Sequence, residues 1–170
     1  MEKYPIHWPQ FYTATIMEWK HLLKPDKYKD VILQSLQYLV VNKQVTLYAF
    51  VIMSNHIHLI WQALPGKTPQ QIQHIFMKFT AQQIKFDLVA HHPLALEKFR
   101  VDAKDRTYQF WKRNPLGVDL YTHDVFMQKL EYIHCNPVKA GLCNLPEEYF
   151  YSSAKFYWTG VDNFNMLTHC

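Results

Sequence analysis

The chain has 170 residues, enough for one domain that buries about two-thirds of its unfolded surface and needs neither a disulfide nor a structural metal. Apolar residues make up 49% and aromatics 16%, with only four glycines, which excludes a disordered or low-complexity polymer. The formal net charge of +4 suits a polyanionic partner without requiring one.

From Phe11 to Trp19, FYTATIMEW is rich in β-branched and aromatic residues and predicts a strand that ends before LLKPDK. Residues 27–41 carry Tyr28, Val31, Ile32, Leu36 and Leu39 at helical spacing, so a helix starts after Pro25-Asp26. The run 45–61, VTLYAFVIMSNHIHLIW, is too long for one strand. Its Ser54-Asn55 pair suits a hairpin turn, and two antiparallel strands are expected. Behind PGKTP, residues 69–89 return to helical spacing through Ile72, Phe76, Phe79, Ile84 and Leu88, with Thr68 as cap and Pro69 in first position.

A polar connection leads to YQFWKRN, 108–114, which reads as a short aromatic strand. DVFMQKLEYIHC, 124–135, reads as a third helix capped by Asp124 and ended by Asn136-Pro137 and Gly141. The tail, PEEYFYSSAKFYW, reads as short helices or turns packed back on the domain. No repeat or linker interrupts the chain, so a single domain over 1–170 is expected. The order strand, helix, hairpin, helix, strand predicts an α+β ferredoxin-like sandwich, an antiparallel sheet with helices on one face. Such a fold hosts many functions, so function must be read from a site.

The stretch NHIHLIW, 55–61, sets two imidazoles one residue apart in an apolar run. Alternate side chains of a strand share a face, so His56 and His58 project together while Ile57 and Leu59 point into the core. Imidazoles at i and i+2 are close enough to converge on one divalent ion, and a third ligand is then expected elsewhere. On the third helix, Tyr132 and Asn136 stand one turn apart on the same side, whereas His134 and Cys135 point away. An asparagine carbonyl oxygen suits a hard cation such as Mg²⁺. A phenol beside that ion has a defined use: attack on a phosphodiester with departure of the 3′ oxygen, leaving a phosphotyrosine link to a DNA 5′ end. Taken singly, each of these residues also fits an ordinary structural role, and the joint occurrence carries the reading.

YAFVIMSNHIHLIW, YIHCNPVKAGL and PEEYFYSSAKFY together resemble the single-tyrosine HUH transposases, in particular the REP-associated branch, over about Phe11 to Tyr157. The resemblance implies His56 and His58 as metal ligands, Tyr132 as nucleophile and Asn136 as the remaining ligand. It implies Mg²⁺ or Mn²⁺ as cofactor, single-stranded DNA with a hairpin as substrate, and a homodimer as the assembly. Ser54 stands where the family usually has proline. Asn136 stands where insertion-sequence members carry glutamine, and its shorter arm matches the REP-associated branch. Lys78 and Lys85 on the second helix, with Trp111, Lys112 and Arg113 on the aromatic strand, are candidate phosphate-binding and base-stacking residues. His74, His91, His92 and His123 read as surface or structural.

Two other function classes fit the same residues: a metal hydrolase that forms no covalent intermediate, and a domesticated, non-catalytic binder of DNA hairpins. Cys135, Cys143 and Cys170 show no CxxC spacing, which points to a reducing, cytoplasmic setting. The opening MEKYPIHWPQFYTAT lacks the pattern of a secretory leader, and no membrane association is expected.

Overall fold

The structure, a computed structural model, describes residues 7–170. Strand β1 (Gln10–Thr15) leads through helix α1 (Asp26–Val41) to the hairpin of β2 (Val45–Ile52) and β3 (His56–Ala63), then to helix α2 (Pro69–His91). A short helix α3 (Pro93–Glu97) and a small hairpin of β4 (Arg100–Ala103) and β5 (Arg106–Tyr108) precede β6 (Leu116–Asp119), helix α4 (His123–Lys139) and the terminal helix α5 (Ala154–Thr159). The main sheet runs β2-β3-β1-β6 with every neighbouring pair antiparallel. With α1 and α2 as the crossovers, this is the α+β ferredoxin-like topology that the element order predicts.

Helices lie on both faces of the sheet, not on one. Tyr12, Leu47, Leu59 and Trp61 bury one face against Ile32, Leu36 and Leu39 of α1 and Ile72, Phe76 and Ile84 of α2. Phe11, Ala49, Val51 and Ile60 bury the other against Phe126, Leu130 and Ile133 of α4. The reason is visible in the strands: Ala49 through Ile52 and Ile57 through Trp61 are buried without alternation, and a sheet apolar on both faces needs cover on both.

Four local readings change. The fourth strand of the sheet is Leu116–Asp119, paired with β1 from Leu116↔Thr13 to Asp119↔Gln10, rather than the aromatic stretch 108–114. Of that stretch, Tyr108 ends β5 opposite Arg100, Trp111 makes an isolated bridge to Ile16, and Phe110 and Trp111 turn inward. β1 itself ends at Thr15. Met17–Trp19 form one 3₁₀ turn in which Glu18 and Trp19 take φ values of 55° and 56°, incompatible with a continuing strand.

The third helix is capped by Thr122, whose Oγ1 accepts from the Val125 N–H at 3.2 Å, and not by Asp124. It runs on through Asn136 and Pro137. Proline sits in the last turn, where it removes only one ladder bond, and the helix stops at Gly141 (φ 74°) with the Leu142 N–H donating to the Pro137 carbonyl. Asn136 is thereby a helical residue in register with Tyr132.

The α2 start is as the sequence predicts: Thr68 and Gln71 exchange side-chain and backbone hydrogen bonds in a capping box, with Pro69 first. The tail packs back and covers the β2 edge. Ile52 N–H donates to Tyr151 O, Ser153 N–H to Phe50 O, and Thr168 N–H to Leu47 O, so the backbone groups of that edge are paired. Among the described residues, no helix is long and apolar enough to cross a membrane.

Candidate active site

Register brings the site together. β3 lies between β1 and β2, so His56 and His58 emerge on the α4 side opposite Thr15 and Thr13 of β1. Behind them, Ile57 and Leu59 enter the larger core. The two imidazole centroids are 4.8 Å apart, and the His58 ring lies 5.2 Å from the Tyr132 ring on α4. Asn136, one turn on from Tyr132 along α4, lines the same cleft as His56. These four residues line one open cleft of about 570 Å³ with Phe11, Thr13, Trp19, Leu116 and Lys129.

Both imidazoles are held from behind. His58 Nδ1 is 2.7 Å from Thr13 Oγ1, and His56 Nδ1 is 2.7 Å from Asn55 Oδ1. An amide oxygen accepts, so His56 carries its proton on Nδ1; with the same tautomer at His58, both Nε2 lone pairs are left for the cleft. Phe11 stacks on His58 with centroids 5.4 Å apart and planes 18° from parallel, which fixes the ring's tilt.

Burial makes both rings neutral bases. The His56 pKa is lowered by desolvation, an effect the Asn136 contact partly offsets. At His58, desolvation, then the neighbouring His56 and the Lys129 ammonium, push the value down to about 3. A neutral imidazole is the form that donates a lone pair to a metal. Among the described residues no three His, Cys, Asp or Glu side chains converge. The donor set here is two imidazoles and an amide.

Tyr132 is 42% exposed and lines the cleft. Lysines flank it: Lys129 Nζ lies 5.9 Å from the Tyr132 ring centroid and 4.8 Å from that of Phe11, and Lys139 Nζ lies 5.7 Å from the Tyr132 ring. Sequence reasoning missed Lys129, although Lys129, Tyr132 and Asn136 follow the i, i+3, i+7 stripe of one helix face. Thr13 and Trp19 were missed for a different reason: their place depends on strand pairing. His134 points away as expected, with Nε2 2.8 Å from Ser153 Oγ and a pKa lowered by burial to about 4.

Trp19 closes the rim. Its ring stands edge-on to His56 at 6.0 Å and is 56% exposed. The left-handed backbone at Glu18 and Trp19 costs on the order of 1–2 kcal/mol per residue for side chains with a Cβ. It is pinned by Trp19 N–H donating to the Ile16 carbonyl at 3.0 Å, Met17 N–H to Phe110 O at 2.8 Å and Ile16 N–H to Asn55 O at 2.9 Å.

Of the other candidate residues, Lys78, Lys85, Lys112 and Arg113 line one groove of about 770 Å³ with Arg106, Gln70, Gln73 and His74. Trp111 is not available for stacking. It is 6% exposed, packed near Phe76, and its indole N–H donates to Thr80 Oγ1 at 3.0 Å. The groove lies against α2 and the cleft against α4, with the sequence neighbours Pro115 and Leu116 in their respective walls.

No protein-family model matches the chain, and no curated protein matches it. Among solved structures, that of a REP-associated tyrosine transposase bound to a REP hairpin superimposes with a TM-score of 0.69, over 99% of this chain and 90% of its own, at 14% identity. A transposase candidate from Deinococcus radiodurans R1 aligns over 78% of this chain and 95% of its own, with a TM-score of 0.49 and 15% identity. The fold of this chain is therefore that of a REP-associated tyrosine transposase, in keeping with the sequence resemblance.

Proposed function

We propose that the chain is a metal-dependent transposase that cuts and rejoins single-stranded DNA at hairpin-bearing ends through a covalent link to Tyr132. The observation that carries this is the convergence of two back-tethered neutral imidazoles, an amide and an exposed phenol around one open cleft. The shared fold with a transposase that binds a hairpin is consistent with it.

His56 and His58 through Nε2, and Asn136 through its amide oxygen, would hold Mg²⁺ or Mn²⁺. The donor set fits: imidazole suits first-row metals, the amide oxygen suits hard cations, and Mn²⁺ accepts both. When bound, such an ion supplies charge neutralisation at the phosphate undergoing displacement. Tyr132 Oη loses its proton and forms the new bond to phosphorus, the P–O3′ bond breaks, the upstream part of the strand leaves with a 3′-hydroxyl, and the downstream part stays on the protein through its 5′ phosphate as a phosphotyrosine ester. Lys129 and Lys139, beside the Tyr132 ring, offer positive charge to the phosphate under attack. Lys78, Lys85, Arg106, Lys112 and Arg113 bind backbone phosphates along the groove, and the strand passes over residues 112–116 into the cleft.

The test is incubation with labelled hairpin-bearing strands in Mg²⁺, Mn²⁺ or EDTA. The expected result is a denaturation-resistant adduct with the downstream part of the strand, joined through its 5′ phosphate, absent in EDTA, lost in Tyr132→Phe and strongly reduced in His58→Ala. Cutting that leaves no protein-bound DNA would instead mark a hydrolase. Hairpin affinity indifferent to EDTA, with no strand cut, would mark a binding module. Sedimentation with and without hairpin DNA reads whether the chain works as a homodimer.

A further inference from the structure

We infer that Trp19 is a stacking platform for a base of the single strand next to the phosphate held in the cleft. The inference rests on the nucleic-acid reading of the cleft and adds a residue and a contact to it.

Trp19 is a large apolar side chain that the fold keeps out of both cores. It is 56% exposed, it lines the cleft with His56, His58, Tyr132 and Asn136, and its ring stands 6.0 Å from that of His56. Its backbone adopts a conformation that glycine takes without strain, as does the preceding Glu18, yet both positions carry side chains. Outliers of this kind persist where surrounding contacts hold them, and here the three backbone hydrogen bonds to Ile16, Asn55 and Phe110 do so. Asn55 also holds His56 Nδ1, so the strand turn that orients one imidazole also anchors the indole turn.

The chemistry of a flat exposed indole in an open cleft that also carries Lys129 is that of base recognition. Every base has a π-face, so the contact tolerates any sequence. The neighbouring charges fit: Lys129 and Lys139 border Tyr132 on the α4 side. Trp8 and Trp158 are also exposed, but neither lines this cleft. Trp111, the other aromatic candidate for stacking, is enclosed in the core.

The experiment is an anisotropy titration in EDTA, so that no strand is cut, with two probes: a dA oligonucleotide of about twelve residues and a strand of equal length made of abasic residues. The expected result is that the wild-type protein prefers the dA strand by on the order of ten- to a hundred-fold. Trp19→Phe retains most of that preference. Trp19→Gly loses it while binding the abasic strand as the wild type does, and its Tm equals or exceeds the wild-type value because the left-handed backbone is relieved. Trp19→Leu, which keeps apolar bulk without a flat face, gives the same loss should the glycine variant fail to fold.

An undiminished dA preference in Trp19→Gly or Trp19→Leu overturns the inference. So does an equal loss of affinity for both strands, which would reduce Trp19 to a support of the turn. Failure of the wild type to bind either strand, or to distinguish them, overturns it as well. Absence of a Tyr132 adduct leaves this titration unaffected and sinks the covalent mechanism alone.

Discussion

Thr13 and Asn55 decide what the two histidines can do. An imidazole free to rotate and to exchange tautomers is a poor ligand, because ordering it opposes binding; one tethered at Nδ1 presents Nε2 in advance. Each tether is a 2.7 Å contact from a short side chain, Thr13 on the paired strand for His58 and the preceding residue, Asn55, for His56. Thr13→Val keeps the shape and removes the hydroxyl, and Asn55→Ala removes the amide. If His56 and His58 hold Mn²⁺ as proposed, each variant is expected to weaken its binding roughly 10- to 100-fold, read by calorimetry or electron paramagnetic resonance. Unchanged Mn²⁺ affinity in both variants would separate the tethers from any ligand role of the histidines. The pair His56 and His58 is legible from alternation along one strand. Thr13 is not, because nothing local to FYTAT says which residue of another strand it will face.

Helix α4 supplies the second half of the site because its two faces do different work. Phe126, Leu130 and Ile133 dock on the sheet, and Lys129, Tyr132 and Asn136 are carried to the cleft edge by that docking. The spacing of Tyr132 and Asn136 is legible in sequence. Continuation of the helix through Pro137 is not, since the Asn-Pro pair is an ordinary terminator and only the packed last turn tolerates it. The aromatic segment 108–114 shows the same limit. Alternation and aromatic content suggest a strand with a stacking tryptophan, whereas pairing with the end of β1 turns Trp111 inward onto Phe76 and Thr80. Trp111→Ala is expected to lower stability by about 3–5 kcal/mol through the cavity and the lost indole hydrogen bond to Thr80. Chemical denaturation measures this, and a loss below about 1 kcal/mol would contradict the buried placement.

Across the whole molecule, charge and proton affinity set two measurable behaviours. If single-stranded DNA follows the groove, the joint Lys112→Gln and Arg113→Gln variant removes two phosphate contacts. Its plot of log affinity against log salt should flatten by about 0.7 per contact, and an unchanged slope would place the strand elsewhere. Burial holds the tyrosine hydroxyls protonated throughout the cores: Tyr149 is pushed up to about 12, and desolvation raises Tyr12, Tyr28, Tyr151 and Tyr157 as well. Above a pH of about 10 the unfolded chain releases these protons while the folded chain retains them. The stabilisation they provide is complete below that pH and declines as pH rises toward the folded values. Tm followed by circular dichroism should therefore fall steadily between about pH 10 and 12, and more shallowly in Tyr149→Phe.

The amino-acid order alone determined the α+β class, the strand–helix–hairpin–helix–strand sequence, the shared face of His56 and His58, and the turn that relates Tyr132 to Asn136, because each depends on periodicity within a few residues. Tertiary structure decided the rest: α4 on the second face, Leu116–Asp119 as the edge strand, Lys129 and Trp19 at the cleft, and Trp111 in the core. Those depend on which segments pair and in what register. A one-residue slip in register moves every side chain of a strand to the other face, so only the assembled sheet chooses among them.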